Sequence, residues 1–127
     1  MAKVLVVEDD LRLKLTYDIL LNKEGHQVER ALNGEEAIQK MASFNPDLVL
    51  LDLMMPKMTG IEFLEAINLK VDYPHTKVIV FSNMTMPDEM QKAYSLGASK
   101  YATKSSTSPK QLAELIEQTL SEQSTEV

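Results

Sequence analysis

The sequence predicts an α/β fold in which helices cover both faces of a parallel sheet. Short apolar runs recur along the chain without alternating with polar residues, as is typical of strands that are buried on both faces. Stretches with helical periodicity separate these runs, so that strand and helix alternate five times. Because the connections are short, the crossovers must be right-handed and the strands parallel.

The first half of the chain contains three predicted strands and two predicted helices. The strands are Val4–Val7, the more polar edge segment His26–Ala31, and the apolar segment Leu48–Leu51. A first helix with i, i+4, i+8 and i+9 spacing ends at Gly25; its apolar residues are Leu11, Leu15, Ile19 and Leu20. A second helix follows Asn33-Gly34, ends before Asn45-Pro46, and is expected to turn inward Ala37, Ile38, Met41 and Ala42.

Helix start signals divide the second half of the chain. Thr59 and Glu62 have the spacing of a capping box, and the helix that follows is expected to pack through Phe63, Leu64 and Ile67. Pro87 can open a fourth helix that stops at Gly97, with one face formed by Met90, Ala93 and Tyr94. Ser108, Pro109 and Gln111 start a fifth, which carries Leu112, Leu115, Ile116 and Leu120. The strands between these helices are Val78–Phe81 and Tyr101–Thr103.

Length and composition narrow the class of protein. With 127 residues and no cysteine, the chain predicts one domain over residues 1–127, with a frayed polar tail at 121–127 and neither a disulfide framework nor a thiolate metal site. The net charge of -6 argues against direct nucleic-acid binding. The apolar runs are too short to span a membrane, so a cytoplasmic location is expected. His26 and His75 are expected at the surface.

Polar side chains stand where each apolar run ends. Glu8 and Asp9 follow the first run, Asp52 the third, Ser82 the fourth, and Lys104 the fifth. In an open parallel sheet, ligands bind just outside the carboxyl ends of the strands. Three carboxylates brought together there repel one another, so each unpaired charge would raise the pKa of its neighbours or require a cation. Mg²⁺ suits such a set because it prefers oxygen ligands, with Mn²⁺ as an alternative. Asp10 could equally cap the first helix.

The motifs resemble those of the receiver domain of bacterial two-component response regulators, from Lys3 to about Leu120. The resemblance rests on the segments Val6–Asp10 and Asp52–Gly60, on Ser82 ending the fourth strand, on Gly97-Ala98, and on Tyr101 three residues before Lys104. It implies a flavodoxin-like, doubly wound (βα)5 fold with strand order 2-1-3-4-5. It also implies a stand-alone domain of the kind that regulates chemotaxis.

The resemblance also implies a role for each site residue. Asp52 would be the phosphoacceptor. Mg²⁺ would be held by Glu8, Asp9, Asp52 and the backbone carbonyl of Met54. Ser82 and Lys104 would contact the phosphoryl group, and Ser82 would act with Tyr101 as a switch.

Three positions bear on access to the phosphoryl group and on its hydrolysis. In the family, Met54 and Met84 would border the path of the attacking water, where thioethers offer only weak acceptors; slow self-dephosphorylation is expected. Asn83 replaces a usual small residue and would narrow or polarise access. Ser105 replaces the usual proline after the lysine, so a trans peptide after Lys104 or a rearranged loop is expected.

The sequence therefore predicts a signalling domain that accepts phosphate from a sensor histidine kinase or a histidine phosphotransfer protein. Its output would be a changed interaction with another protein, and the domain would be a monomer or a phosphorylation-dependent dimer. Two alternatives stay open. A phosphatase-like enzyme with an aspartate nucleophile would carry a second acid where Met54 stands. A constitutive pseudo-receiver would lack one of the acidic, hydroxyl or lysine residues.

Overall fold

The computed structural model describes residues 2–55, 57–83 and 86–122, without the side chains of residues 11–14. The described residues form five strands and six α-helices. The strands are β1 (Lys3–Val7), β2 (Gln27–Ala31), β3 (Leu48–Leu51), β4 (Lys77–Phe81) and β5 (Lys100–Ala102). The helices are α1 (Leu11–Lys23), α2 (Gly34–Phe44), α3 (Gly60–Ile67), α4 (Leu69–Asp72), α5 (Pro87–Ser95) and α6 (Pro109–Ser121), and a 3-10 turn spans Lys104–Ser106.

The five strands make one parallel sheet in the order β2-β1-β3-β4-β5, which confirms the predicted fold class. β3 lies at the centre and all four of its residues are buried. Alternate strand residues point to opposite faces, and each face carries a separate apolar core. One core contains Leu5, Val49 and Val80, and the other contains Val6, Leu50 and Ile79. Helices therefore cover both faces of the sheet.

Local capping fixes where the helices begin, as the sequence predicts. The Thr59 hydroxyl accepts from the Glu62 N–H, and the Glu62 carboxylate accepts from the Thr59 N–H. Ser108 and Gln111 form the same reciprocal pair at the start of α6. Each box satisfies amide groups that a helix start leaves without partners. Pro87 occupies the first turn of α5.

Of the apolar residues expected on the inner face of α1, Leu20 is partly buried and packs against the core, but the prediction is wrong for Leu15 and Ile19. Leu15 and Ile19 are exposed to solvent, at 60% and 71% of their surface. Tyr17 and Leu21 instead pack against the sheet, and the Tyr17 ring meets that of Phe81 edge to face, with centroids 5.6 Å apart. This helix carries apolar residues on two sides, and sequence periodicity does not distinguish the side that faces the sheet from the side that faces solvent. The side chain of Leu11 lies outside the described part.

Two other helices differ from expectation in single residues. In α2, Ala42 is exposed, while Phe44 at the end of the helix is buried. In α5, Tyr94 is 45% exposed, whereas Ala93 is fully buried. α4 was not predicted. It follows Asn68, whose left-handed backbone (φ 53°, ψ 57°) ends α3 and starts the short helix.

His26 is buried, which corrects the expectation of a surface position, whereas His75 is exposed as predicted. The Nδ1 atom of His26 accepts from the Ala2 N–H, 3.2 Å away, so the ring proton lies on Nε2. Nε2 then donates to Glu117 in α6 at 2.7 Å. This pair joins the start of β2 to the last helix across the amino-terminal end of the sheet.

After β5 the peptide bond that follows Lys104 agrees with expectation, whereas the frayed tail predicted from residue 121 does not begin there. No described peptide bond is cis, so the bond after Lys104 is trans, as expected without proline. Of the predicted tail, Ser121 belongs to α6, Glu122 pairs with Lys100 at 2.7 Å, and residues 123–127 lie outside the described part. Among the helices described, none has both the length and the apolar character that crossing a bilayer requires.

Candidate functional site

Hydrogen bonds that continue beyond the strands place the polar residues side by side. The Asp52 N–H donates to the Val7 carbonyl at 3.1 Å, which aligns the ends of β1 and β3. The Ser82 N–H donates to the Ala102 carbonyl at 3.1 Å, which aligns the ends of β4 and β5. The chain ends of four neighbouring strands therefore meet at one edge, as the sequence predicts.

Three carboxylates converge at this edge. One oxygen each from Glu8, Asp9 and Asp52 lies within 4.8 Å of the others. Glu8 and Asp52 are buried, at 3% and 6% exposure, while Asp9 faces solvent. The oxygens are thus gathered at the base of the site and remain open on one side. An all-oxygen set of this kind has the donor chemistry that a hard divalent cation prefers.

Lys104 is paired with both buried carboxylates. Its Nζ lies 2.6 Å from Glu8 Oε1 and 2.9 Å from Asp52 Oδ2. One ammonium therefore faces three carboxylates. When all three are ionised, the negative charge at this edge exceeds the positive charge that Lys104 supplies.

Burial and ion pairing shift the pKa values of Glu8 and Lys104. Burial raises the pKa of Glu8 above its ordinary value, the neighbouring Lys104 opposes that rise, and the charge of Asp52 adds to it. For Lys104, burial would lower the pKa, but its hydrogen bonds to Glu8 and Asp52 and their charges raise it overall. The lysine is therefore firmly charged at neutral pH, and it partly offsets the cost of ionising Glu8.

Both oxygens of Asp52 have partners. Oδ2 accepts from Lys104, and Oδ1 accepts from the Met54 N–H at 3.0 Å. These bonds fix the carboxylate at the centre of the site. The Met54 side chain is 57% exposed and lies at the rim.

Gly60 supports this arrangement, a role that the sequence reasoning missed. A Cβ built on Gly60 would lie 2.7 Å from the Asp52 carbonyl oxygen and from the Leu53 Cα, so any larger residue would push α3 away from the phosphoacceptor candidate. Its N–H also donates to the Leu53 carbonyl at 3.0 Å. The close approach of α3 to the Asp52 segment could have been predicted, because the Thr59 capping box starts a helix only seven residues after Asp52.

Ser82 and Tyr101 lie at the ends of neighbouring strands. Ser82 is fully buried and Tyr101 is half-buried. Burial, followed by the negative charge of Asp52, raises the pKa of Tyr101. The Tyr101 hydroxyl therefore stays protonated well above neutral pH and can both donate and accept a hydrogen bond.

Of the three positions expected to govern access, two can be placed. Met54 is at the rim, and the Asn83 side-chain oxygen accepts from the Ser105 N–H at 2.9 Å. The sequence reasoning did not foresee this contact. Met84 lies outside the described residues.

The comparisons with known proteins agree with the fold. The response regulator receiver domain family matches residues 4–117. The chain is 36% identical over 96 residues to the sporulation initiation phosphotransferase F of Bacillus subtilis, covering 76% of each protein. It is 34% identical over 103 residues to the chemotaxis protein CheY of Thermotoga maritima, covering 80% of this chain and 84% of that protein.

A solved structure gives the same result. The chemotaxis protein CheY4 of Vibrio cholerae superposes with a TM-score of 0.85 at 30% identity, covering 94% of this chain and 98% of the other. Receiver domains of response regulators receive phosphoryl groups from histidine kinases or phosphotransfer proteins. This chain belongs to the response regulator receiver domain family.

Proposed function

We propose that Asp52 accepts a phosphoryl group from a phosphohistidine of a sensor histidine kinase or a histidine phosphotransfer protein. The observation that carries the proposal is the position of Asp52, which is buried at the end of the central strand among Glu8, Asp9 and Lys104. Glu8 also contacts the ammonium and accepts from the Asp10 N–H. Asp52 differs from Glu8 because it follows the central strand, between the strands that carry Glu8 and Ser82.

In the proposed transfer, a carboxylate oxygen of Asp52 bonds to phosphorus while the P–N bond to the donor imidazole breaks. The imidazole nitrogen keeps the electron pair of that bond. Little covalent chemistry is left to the protein, so positioning and neutralisation of charge lower the barrier. The Lys104 ammonium is already at Asp52 and can exchange a carboxylate contact for a phosphoryl oxygen.

A divalent cation fits the donor set of this edge. Glu8, Asp9, Asp52 and the backbone carbonyl of Met54 would hold Mg²⁺, with Mn²⁺ as a substitute. When bound, the cation neutralises charge on the phosphoryl oxygens. The uncompensated charge of the three clustered carboxylates supports this assignment.

The output is proposed to pass through Ser82 and Tyr101. A phosphoryl oxygen on Asp52 gives the Ser82 hydroxyl a new acceptor, and movement of Ser82 leaves space for the Tyr101 ring. Such a pair converts a local charge change into a change at the surface of α5 and β5. An unidentified protein partner would read this surface, in the cytoplasm, with the domain as a monomer or a phosphorylation-dependent dimer.

Hydrolysis of the phosphoryl group is proposed to be slow, because a thioether at position 54 orients water poorly. Asn83 and Met84 would limit access with it. Decay of the phosphorylated protein in excess Mg²⁺ should therefore be faster in Met54→Asn than in the wild type. Equal rates of decay in the two proteins would indicate that Met54 serves in packing and does not restrain hydrolysis.

The phosphoacceptor is tested by incubating the wild type with phosphoramidate, a small donor with a P–N bond, and locating the modified residue by mass spectrometry. Modification should fall on Asp52 and should stop when a chelator removes divalent cations. Modification elsewhere, or uptake that is indifferent to the chelator, would contradict the proposal. The same experiment separates this chain from a pseudo-receiver, which would take up no phosphate.

A further inference from the structure

Two residues that depart from the usual receiver sequence contact each other. Asn83 follows Ser82 in the loop after β4, and Ser105 follows Lys104 in the loop after β5. The Ser105 N–H donates to the Asn83 side-chain oxygen at 2.9 Å. A proline at position 105 would have no N–H to donate. This contact therefore exists only because residue 105 is not proline.

The contact lies just beyond the parallel ladder between β4 and β5. The Ser82 N–H donates to the Ala102 carbonyl at 3.1 Å, and the Lys104 N–H then donates to the Ser82 carbonyl at 3.3 Å. In a parallel pair only alternate residues bond to the same neighbouring strand, so the ladder pattern offers the Ser105 N–H no acceptor on β4. The Asn83 side-chain oxygen supplies one, which adds a hydrogen bond that the backbone pattern does not provide.

The ladder holds together the two segments that carry the phosphate-contacting candidates. Ser82 directly precedes Asn83, and Lys104 directly precedes Ser105. Lys104 reaches both Glu8 and Asp52 at hydrogen-bond distance, so a shift of its backbone would move the ammonium away from the reacting carboxylate. A loop of serine and threonine without proline has many conformations available, and the Asn83 contact restricts them.

We propose that Asn83 is a positioning residue, which fixes the backbone of the Lys104 segment for phosphoryl transfer through its hydrogen bond to Ser105. This inference rests on the proposed role of Asp52. Asn83 does not touch the reacting atoms in this account, because it acts through the backbone of residue 105. Its side chain is exposed, so losing the bond should change the rate of transfer much more than the stability of the fold.

The test measures uptake of phosphate from phosphoramidate in Asn83→Ala, Ser105→Pro and the double variant. Loss of one hydrogen bond of ordinary strength should slow each single variant by about three- to tenfold. Because both substitutions remove the same bond, the double variant should be no slower than the slower single variant. Ser105→Ala is the matched control: it keeps the backbone N–H and should react at the wild-type rate.

Exchange of the Ser105 amide hydrogen, followed by NMR, reports the bond directly. The amide should be protected in the wild type and exchange faster in Asn83→Ala, while the Ser105→Ala protein keeps protection at position 105. Ser105→Pro also separates positioning from access, since it retains the Asn83 side chain. If Ser105→Pro does not fold, the rates of Asn83→Ala and Ser105→Ala decide the question.

Three results would overturn the proposal: Asn83→Ala reacting as fast as the wild type or faster, Ser105→Ala slowed as much as Ser105→Pro, or additive losses in the double variant. None of these results would contradict the proposed role of Asp52. That role fails separately, if Asp52→Asn still takes up phosphate.

Discussion

The two ends of the sheet both gather polar side chains, but they balance charge differently. At the amino-terminal end, His26 donates to Glu117 at 2.7 Å, and the Thr76 hydroxyl donates to the Pro46 carbonyl at 2.8 Å. His26 also accepts from the Ala2 N–H, so each of these buried groups has specific partners that link separate parts of the chain. Such bonds keep buried polar groups satisfied and stabilise the fold.

At the carboxyl-terminal end, Lys104 pairs with Glu8 and Asp52, and Asp9 belongs to the same cluster of carboxylates. Burial raises the pKa of Glu8 even though the lysine opposes the shift. Because His26 Nδ1 accepts a hydrogen bond, the histidine pair keeps only the charge of the half-exposed Glu117, whereas three clustered carboxylates outnumber one ammonium at the carboxyl-terminal end. The comparison indicates that ion pairing alone does not identify a functional site. An excess of negative charge among clustered carboxylates, held in place by the fold, does.

Among the substitutions that compare the two ends of the sheet, removal of the shared ammonium should have the largest effect. Lys104→Met should slow phosphate uptake from phosphoramidate by about 100-fold, a typical loss for a group that stabilises developing charge. Mg²⁺ should bind this variant more tightly, because no ammonium then competes for Glu8 and Asp52. Uptake is measured by mass spectrometry and Mg²⁺ binding by calorimetry.

Lys77→Met is the matched control, since Lys77 begins β4 at the opposite end of the sheet. Lys77→Met should change neither phosphate uptake nor Mg²⁺ binding. A Lys104→Met protein that reacts like this control would remove the ammonium from the mechanism.

A divalent cation should stabilise the carboxyl-terminal end specifically. At about 100 times its dissociation constant, Mg²⁺ should raise the free energy of unfolding by about 2.7 kcal/mol, because it binds only the folded site. Asp9→Asn should lose most of this gain at the same Mg²⁺ concentration. Urea unfolding with and without Mg²⁺ measures the difference.

His26→Gln provides the comparison at the other end of the sheet. It should lower the free energy of unfolding by about 1–3 kcal/mol, as expected when a buried hydrogen-bonding partner is altered, yet retain the full Mg²⁺ gain. If His26→Gln loses the gain and Asp9→Asn keeps it, the assignment of the metal site is wrong.

A smaller effect should appear in the pH dependence of the metal-free protein. The pKa of Glu8 is raised in the folded state above the ordinary value of 4.5, so in that interval the folded protein binds more protons than the unfolded chain. The contribution of Glu8 to the free energy of unfolding must then fall as pH rises from about 4.5 through the raised pKa. Glu8→Gln does not titrate and should lack this fall.

Subtracting the unfolding free energies of Glu8→Gln from those of the wild type, with chelator present, isolates this contribution from the other carboxylates. A difference that increases with pH over the same interval would contradict the raised pKa.

The parts that the sequence predicts are those governed by short-range patterns. The four polar strand ends could be placed together because unbroken apolar runs predict parallel strands, and parallel strands end at one edge. The capping boxes at Thr59 and Ser108 also act within four residues. These features fix the fold and bring together Glu8, Asp52, Ser82 and Lys104.

The parts that the sequence does not predict depend on contacts between distant residues. His26 resembles a turn residue, and its burial requires Glu117, which is 91 residues away. Asn83 and Ser105 each appeared as an isolated departure, and only the loop geometry joins them. In α1, two apolar stripes have equal periodicity, so the sheet itself decides that Tyr17 and not Ile19 is buried.

The most direct test of the account is phosphate uptake by Asp52→Asn, with Mg²⁺ present and the fold checked by NMR. The substitution keeps the size of the side chain and removes the nucleophilic carboxylate, while Glu8, Asp9 and Lys104 remain in place. We predict no uptake from phosphoramidate by a folded Asp52→Asn protein. Uptake at the wild-type rate would show that the charged edge does not use Asp52 as its phosphoacceptor.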